Sequence, residues 1–201
     1  MVAWTRLAVL VLCLSPVVTG CGLDEIARAT FPQDLPVTIY IDEAFTDDER
    51  EEIFTAMNDW NIHAGARLKE PQSILQFGGL VPHVDFSYPM FIDGVHVVYK
   101  IYEPVPDVEW IRAKYDYDVA GYATKGDVLI LCYAEFPEYI GSVDTWAAYL
   151  RDVRRITVHE FGHLLGLSHF NNVPGVMNMD DDLAELAQSD LDAFCTLYEC
   201  E

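Results

Sequence analysis

The stretch TVHEFGHLLGLSH, residues 157–169, sets three histidines and a glutamate into an otherwise apolar segment. Residues four apart on an α-helix point the same way to within about 40°, so His159 and His163 share a face. Two imidazoles so placed suit one zinc ion at about 2.0–2.1 Å. Glu160 stands one step round from His159, where its carboxylate reaches a metal-bound water without taking a coordination position. A straight helix cannot bring position 169 back beside 159 and 163. Gly166 removes that obstacle, because glycine adopts the left-handed conformation that ends a helix and turns the chain. Three neutral nitrogen ligands from His159, His163 and His169 leave a fourth position for water, whose pKa zinc lowers to about 7. A buried helix with incidental histidines explains Phe161, Leu164, Leu165 and Leu167, but not the paired histidines, glutamate, glycine and third histidine together.

The rest of the chain supplies a scaffold for that helix. Leu35 to Asp42 alternates Val37, Ile39 and Ile41 against Thr38 and Tyr40, the period of a strand with one buried face. Thr46 and Glu49 have the spacing of a capping box, with acid in the first turn of the helix they open. Ile53, Met57, Trp60 and Ala64 recur at helical spacing, Met57 and Trp60 as core residues, and Gly65 is the stop. From Arg67 to Tyr102 short strands are broken by Pro71, Gly78-Gly79, Pro82, Pro89 and Gly94, the best of them Val95 to Tyr102. His63, His83 and His96 have no metal-ligand spacing and read as solvent-facing or hydrogen-bonded. Ala120 to Tyr133 carries a turn at Lys125-Gly126 between paired strands. Asp144 caps a long helix running to Gly166, a loop follows with Pro174-Gly175, and a last helix runs from Ser189 or Asp190 to about Tyr198. With 201 residues and 51% hydrophobic content, the chain suffices for one core and is short for two domains.

The first residues read as an export signal: Arg6, an apolar run from Leu7 to Val18, then small residues. The run is too short to span a bilayer as a helix. Val18-Thr19-Gly20-Cys21 resembles the lipobox of bacterial lipoproteins, which implies a signal peptide over 1–20, lipid on Cys21 and a tether over 21–34. Several acyl chains give firm membrane anchoring where one is marginal. Gly22 occupies the position where an aspartate would signal inner-membrane retention, which favours the outer membrane or cell surface. Among Cys132, Cys195 and Cys200, one disulfide is plausible in an exported chain. Cys195 and Cys200 would lie about 7.5 Å apart on an unbroken helix, longer than a bridge usually tolerates. A bridge from Cys132 to one of the C-terminal pair is at least as plausible.

Acidic residues outnumber basic ones by 33 to 12, for a formal charge of -21, and no basic cluster is present. A nucleic-acid partner is therefore disfavoured, since neutralising phosphates needs a basic face. Asp47-Asp48 and Asp180-Asp181-Asp182 offer hard oxygen atoms for Ca2+, but in no ordered calcium-loop pattern. Solubility outside the cytoplasm is the plainer reading of the acidity.

His159-Glu160-Phe161-Gly162-His163-Leu164-Leu165-Gly166-Leu167-Ser168-His169 matches the HExxHxxGxxH signature of metzincins. Within that clan the chain resembles a matrixin-type catalytic domain from about Leu35 to Tyr198. The resemblance implies an α+β domain over 35–201: a twisted, mostly parallel sheet with an antiparallel edge strand, a long active-site helix, a Met-turn and a C-terminal helix. It implies that Met177 is the Met-turn residue beneath the zinc, with Met179 as the alternative. It also implies that Gly121, Tyr122, Ala123 and Thr124 form the edge strand to which an extended peptide adds. The residues that matrixins use for a second zinc and for calcium are not recognisable around DVLILCYAEF, and Asn178-Met179-Asp180 replaces the usual Tyr-Pro. The implied activity is that of a zinc metalloendopeptidase acting on peptide or protein substrates. The alternatives are a peptidase of narrow scope and a non-catalytic surface lipoprotein that keeps the fold.

Overall fold

The computed structural model describes residues 34–83, 95–101, 121–123, 128–131, 143–178 and 183–200. The expected signal peptide, Cys21 and the expected tether up to residue 33 lie outside the described residues. So do Thr124, the Lys125-Gly126 turn, Cys132, Met179 and Asp180-Asp182.

Strand β1 spans Val37–Asp42, and its alternation has the anticipated outcome. Val37, Ile39 and Ile41 are buried, while Thr38 and Tyr40 are half-exposed. Helix α1, Asp47–His63, opens on the capping box: Thr46 Oγ1 accepts from the Glu49 N–H, and the Glu49 carboxylate accepts from the Thr46 N–H at 2.6 Å. Each cap satisfies an N–H that the helix start would otherwise leave bare. The helix ends with Ala64 as cap, and Gly65 opens a short 3-10 turn, Gly65–Arg67.

Strands β2 (Leu75–Val81), β3 (His96–Ile101), β4 (Gly121–Ala123) and β5 (Val128–Leu131) complete a five-stranded sheet in the order β2-β1-β3-β5-β4. All pairings are parallel except β4 against β5, so the antiparallel strand stands at an edge. Gly78-Gly79 does not break β2 as expected but forms an irregularity within it, where the register shifts between Ile39 and Tyr40. A β-carbon on Gly78 would lie 2.7 Å from Thr38 and 2.8 Å from the Tyr40 ring, so a larger residue there would have to push those two side chains aside.

Helix α2, Val143–Leu164, lies against α1, β4 and β5. It begins one residue before Asp144, which therefore sits in the first turn instead of capping it. Trp60, fully buried, donates its indole N–H to the Val158 carbonyl at 2.9 Å. Burial of a large side chain contributes roughly 1.5–3 kcal/mol, and the indole bond fixes which part of α2 faces α1. Arg154 adds an ion pair to Asp59 at 2.7 Å. Helix α3, Gln188–Tyr198, closes the chain and buries Leu191 and Phe194. Among the described residues, no helix is long and apolar enough to cross a membrane.

A buried ionic group ties the sheet to both long helices. The Lys100 ammonium on β3 donates to both Glu49 oxygens at 2.7 Å, and the Tyr149 hydroxyl on α2 donates to the same carboxylate at 2.5 Å. Asp42, at the end of β1, accepts from the Lys100 backbone N–H and pairs with His83 at 2.6 Å.

The C-terminal cysteines decide a pairing that the sequence leaves open. Cys195 and Cys200 form the disulfide, with their Cα atoms 4.7 Å apart. The estimate of 7.5 Å assumed an unbroken helix, whereas α3 stops at Tyr198 and Glu199 takes the left-handed conformation at φ 53°. That turn folds Cys200 back, and its N–H bonds to the Cys195 carbonyl at 3.2 Å.

Candidate metal centre

The end of α2 is where the three histidines converge. Gly166 has φ 89°, and its N–H bonds to the His163 carbonyl while the Leu167 N–H bonds to that of Gly162, both at 2.9 Å. This pair of reversed bonds is the Schellman arrangement, which satisfies the last helical carbonyls while the chain changes direction. His169 is thereby returned to the helix face that carries His159 and His163.

The three Nε2 atoms form a nearly equilateral triangle: 3.1 Å between His159 and His163, 3.0 Å between His159 and His169, and 2.9 Å between His163 and His169. Tetrahedral bonding at 2.0–2.1 Å spaces ligand nitrogens by about 3.3 Å, so the triangle fits a zinc-sized ion closely. Tautomers point the same way. His159 Nδ1 lies 2.5 Å from the Val176 carbonyl and His163 Nδ1 lies 2.9 Å from the Leu167 carbonyl. A carbonyl can only accept, so each Nδ1 carries its hydrogen and each of these Nε2 atoms presents a lone pair. Converging lone pairs repel one another unless a cation lies among them. The residues present therefore fit a single metal ion, and among the described residues this is the one cluster of three or more such side chains able to hold one.

Electrostatics keep the ligands in their binding form. Burial pushes His159 down, opposed by the bond to Val176 and the charge of Asp190. Burial and the neighbouring His159 and His169 push His163 well down, and burial with His159 takes His169 to about 4. All three are then neutral at pH 7, and each remains partly open to solvent.

Glu160, adjacent to His159 on α2, is 5% exposed. Met177 is fully buried against Gly162, the helix position between the two histidines. The turn carrying Met177 is closed by the Phe170 N–H to the Met177 carbonyl at 3.2 Å and the Asn178 N–H to the Gly175 carbonyl at 3.1 Å. Gly121, Tyr122 and Ala123 do form an edge strand, in contact on its helix side with α2.

Sequence reading missed Asp190, which is fully buried and accepts N–H bonds from Val176 at 2.9 Å, Met177 at 3.1 Å and Ala187 at 2.8 Å. An acid in a first helical turn reads simply as matched to the dipole, and no spacing links it to residues 176 and 177. Also missed was Tyr198, whose hydroxyl donates to the Leu165 carbonyl at 2.9 Å, beside the Gly166 turn.

The model of Peptidase family M54 matches residues 114–200, a span that contains α2, the histidine triangle, the Met177 turn and α3. The match supports a metallopeptidase. It covers under half of the 201 residues, and it names a different family from the matrixins that the chain resembles; a metallopeptidase is their common ground. No curated protein matches the chain significantly. A solved structure of myroilysin aligns at 12% identity over 88% of this chain and 98% of that one, with a TM-score of 0.42, too loose a superposition to bear on this molecule.

Proposed function

We propose that the chain is a zinc metalloendopeptidase, exported and anchored to a bacterial membrane through lipid on Cys21. The observation that carries the catalytic part is the triangle of Nε2 atoms, 2.9–3.1 Å on a side, two of them with Nδ1 committed to backbone carbonyls.

His159, His163 and His169 hold the metal, which when bound supplies Lewis acidity toward a scissile carbonyl and makes water more acidic. Glu160 is the general base: its carboxylate takes a proton from the attacking water and passes it to the departing amine nitrogen. Met177 and the leucines around the helix end keep the ligand side dry, which strengthens the charges involved. An extended peptide pairs with the edge strand β4, Gly121–Ala123, presenting its backbone for cleavage. The matrixin-like resemblance supports this last assignment, and the lipobox resemblance supports the anchor.

Cleavage of a broad peptide library by the purified domain, with and without chelator, tests the reading. Glu160→Ala should keep zinc at wild-type stoichiometry while losing about 10²-fold or more of activity. Zinc binding with no cleavage of any peptide would favour the non-catalytic lipoprotein instead. For the anchor, Cys21→Ser expressed in a bacterium should move the protein from the membrane fraction to the soluble one.

A further inference from the structure

Asp190 and His159 are joined through one peptide group. The Met177 N–H, which donates to Asp190 Oδ1 at 3.1 Å, and the Val176 carbonyl, which accepts from His159 Nδ1 at 2.5 Å, belong to the same planar amide. A carboxylate, an amide and an imidazole therefore stand in series. The negative charge at one end draws the amide dipole toward itself and makes the carbonyl at the other end a stronger acceptor. In a buried setting such hydrogen-bonded chains reinforce one another, and Asp190 is fully buried.

The loop is shaped around that carboxylate. A β-carbon on Gly175 would lie 2.7 Å from Asp190 Oδ1 and 2.8 Å from the Phe170 ring, so only glycine lets the chain approach so closely. The second oxygen is occupied by Val176 and Ala187, which pins the turn to the start of α3. Partners that fix a ligating imidazole from behind orient its ring and raise its basicity.

We propose that Asp190 is a positioning residue that sets the metal affinity of His159 through the Val176–Met177 peptide. The inference rests on the reading of the histidine triangle as a zinc site. The carboxylate charge reaches the ring without touching it, and the amide fixes the proton on Nδ1 so that Nε2 faces the other two histidines.

The test uses the purified protein and zinc affinity by competition with a chromophoric chelator. Asp190→Asn is expected to weaken zinc binding by about 10–100-fold and to shift the visible spectrum of the cobalt-loaded protein. In a His159→Ala background the same change should have little further effect, because the relay then has no imidazole to act on. Equal zinc affinity in wild type and Asp190→Asn, or an equal loss with His159 absent, would overturn the proposal. One readout needs no variant: in 15N-labelled wild type, His159 Nδ1–H is expected as a downfield, slowly exchanging proton, and an unprotonated Nδ1 would also overturn it. If wild type binds no zinc at all, the functional reading fails instead of this inference.

Discussion

The sulfur of Met177 occupies the space that a β-carbon on residue 162 would need, so Gly162 and Met177 are two halves of one contact. Alanine is normally better than glycine inside a helix by about 1 kcal/mol. Here Met177 is fully buried and has nowhere to retreat. Gly162→Ala should therefore destabilise the protein by about 1–3 kcal/mol. Met177→Ala alone should cost about 2–5 kcal/mol by leaving a cavity. The double variant should be more stable than the sum of the two losses implies, and urea denaturation of all four proteins measures the coupling. Strict additivity would mean the contact is not energetically shared.

Acid should weaken both the fold and metal binding. Unfolding returns His169 from about 4 to its ordinary value of 6.5, and His159 and His163 shift the same way. Between those values the unfolded chain binds more protons, so stability of the metal-free protein falls as pH drops from 6.5 toward 4. Protons compete with zinc for the same nitrogens, and half-loading should need more zinc at pH 5 than at pH 7. Urea midpoints and zinc titrations at the two pH values check both. A metal-free midpoint that rose on acidification would contradict the sign.

The Lys100–Glu49 pair is fixed by neighbours as well as by charge. Burial alone would raise the Glu49 carboxyl, but the bonds from Lys100, Tyr149 and Thr46 together hold it below its ordinary value. Its contribution is therefore present above about pH 4.5 and is lost as pH falls through the lowered value. Lys100→Met should cost about 3–5 kcal/mol, because a buried carboxylate loses its cation. Replacing both partners by apolar residues should cost much less. Thermal melts of the single and double variants distinguish these outcomes.

Reducing the Cys195–Cys200 bridge should have a modest effect on stability. The bridge closes only a short loop, for which chain-entropy arguments give about 2 kcal/mol. Cys195→Ser with Cys200→Ser should match the reduced wild type in a denaturation series. A drop far beyond that would indicate that the bridge holds more than the last turn of α3.

What could be read from the sequence was local. The Thr46–Glu49 cap, the strand alternation at Val37–Ile41 and the histidine spacing with Gly166 all act within a dozen residues, so their partners are visible side by side. Trp60 with Val158, Glu49 with Lys100 and Tyr149, and Asp190 with the Met177 turn join distant segments that only folding brings together. The disulfide pairing stays open in the sequence for a geometric reason, because nothing in the residue types at 198–200 signals that Glu199 will leave the helix.

Helix α3 grips the histidine cluster from two sides, Asp190 at its start through the Met177 turn and Tyr198 at its end through the Leu165 carbonyl. Both grips come after His169 in the chain. A ribosome that has finished His169 has not yet made the parts that hold it in place, so a half-made chain carries the histidines without their brace.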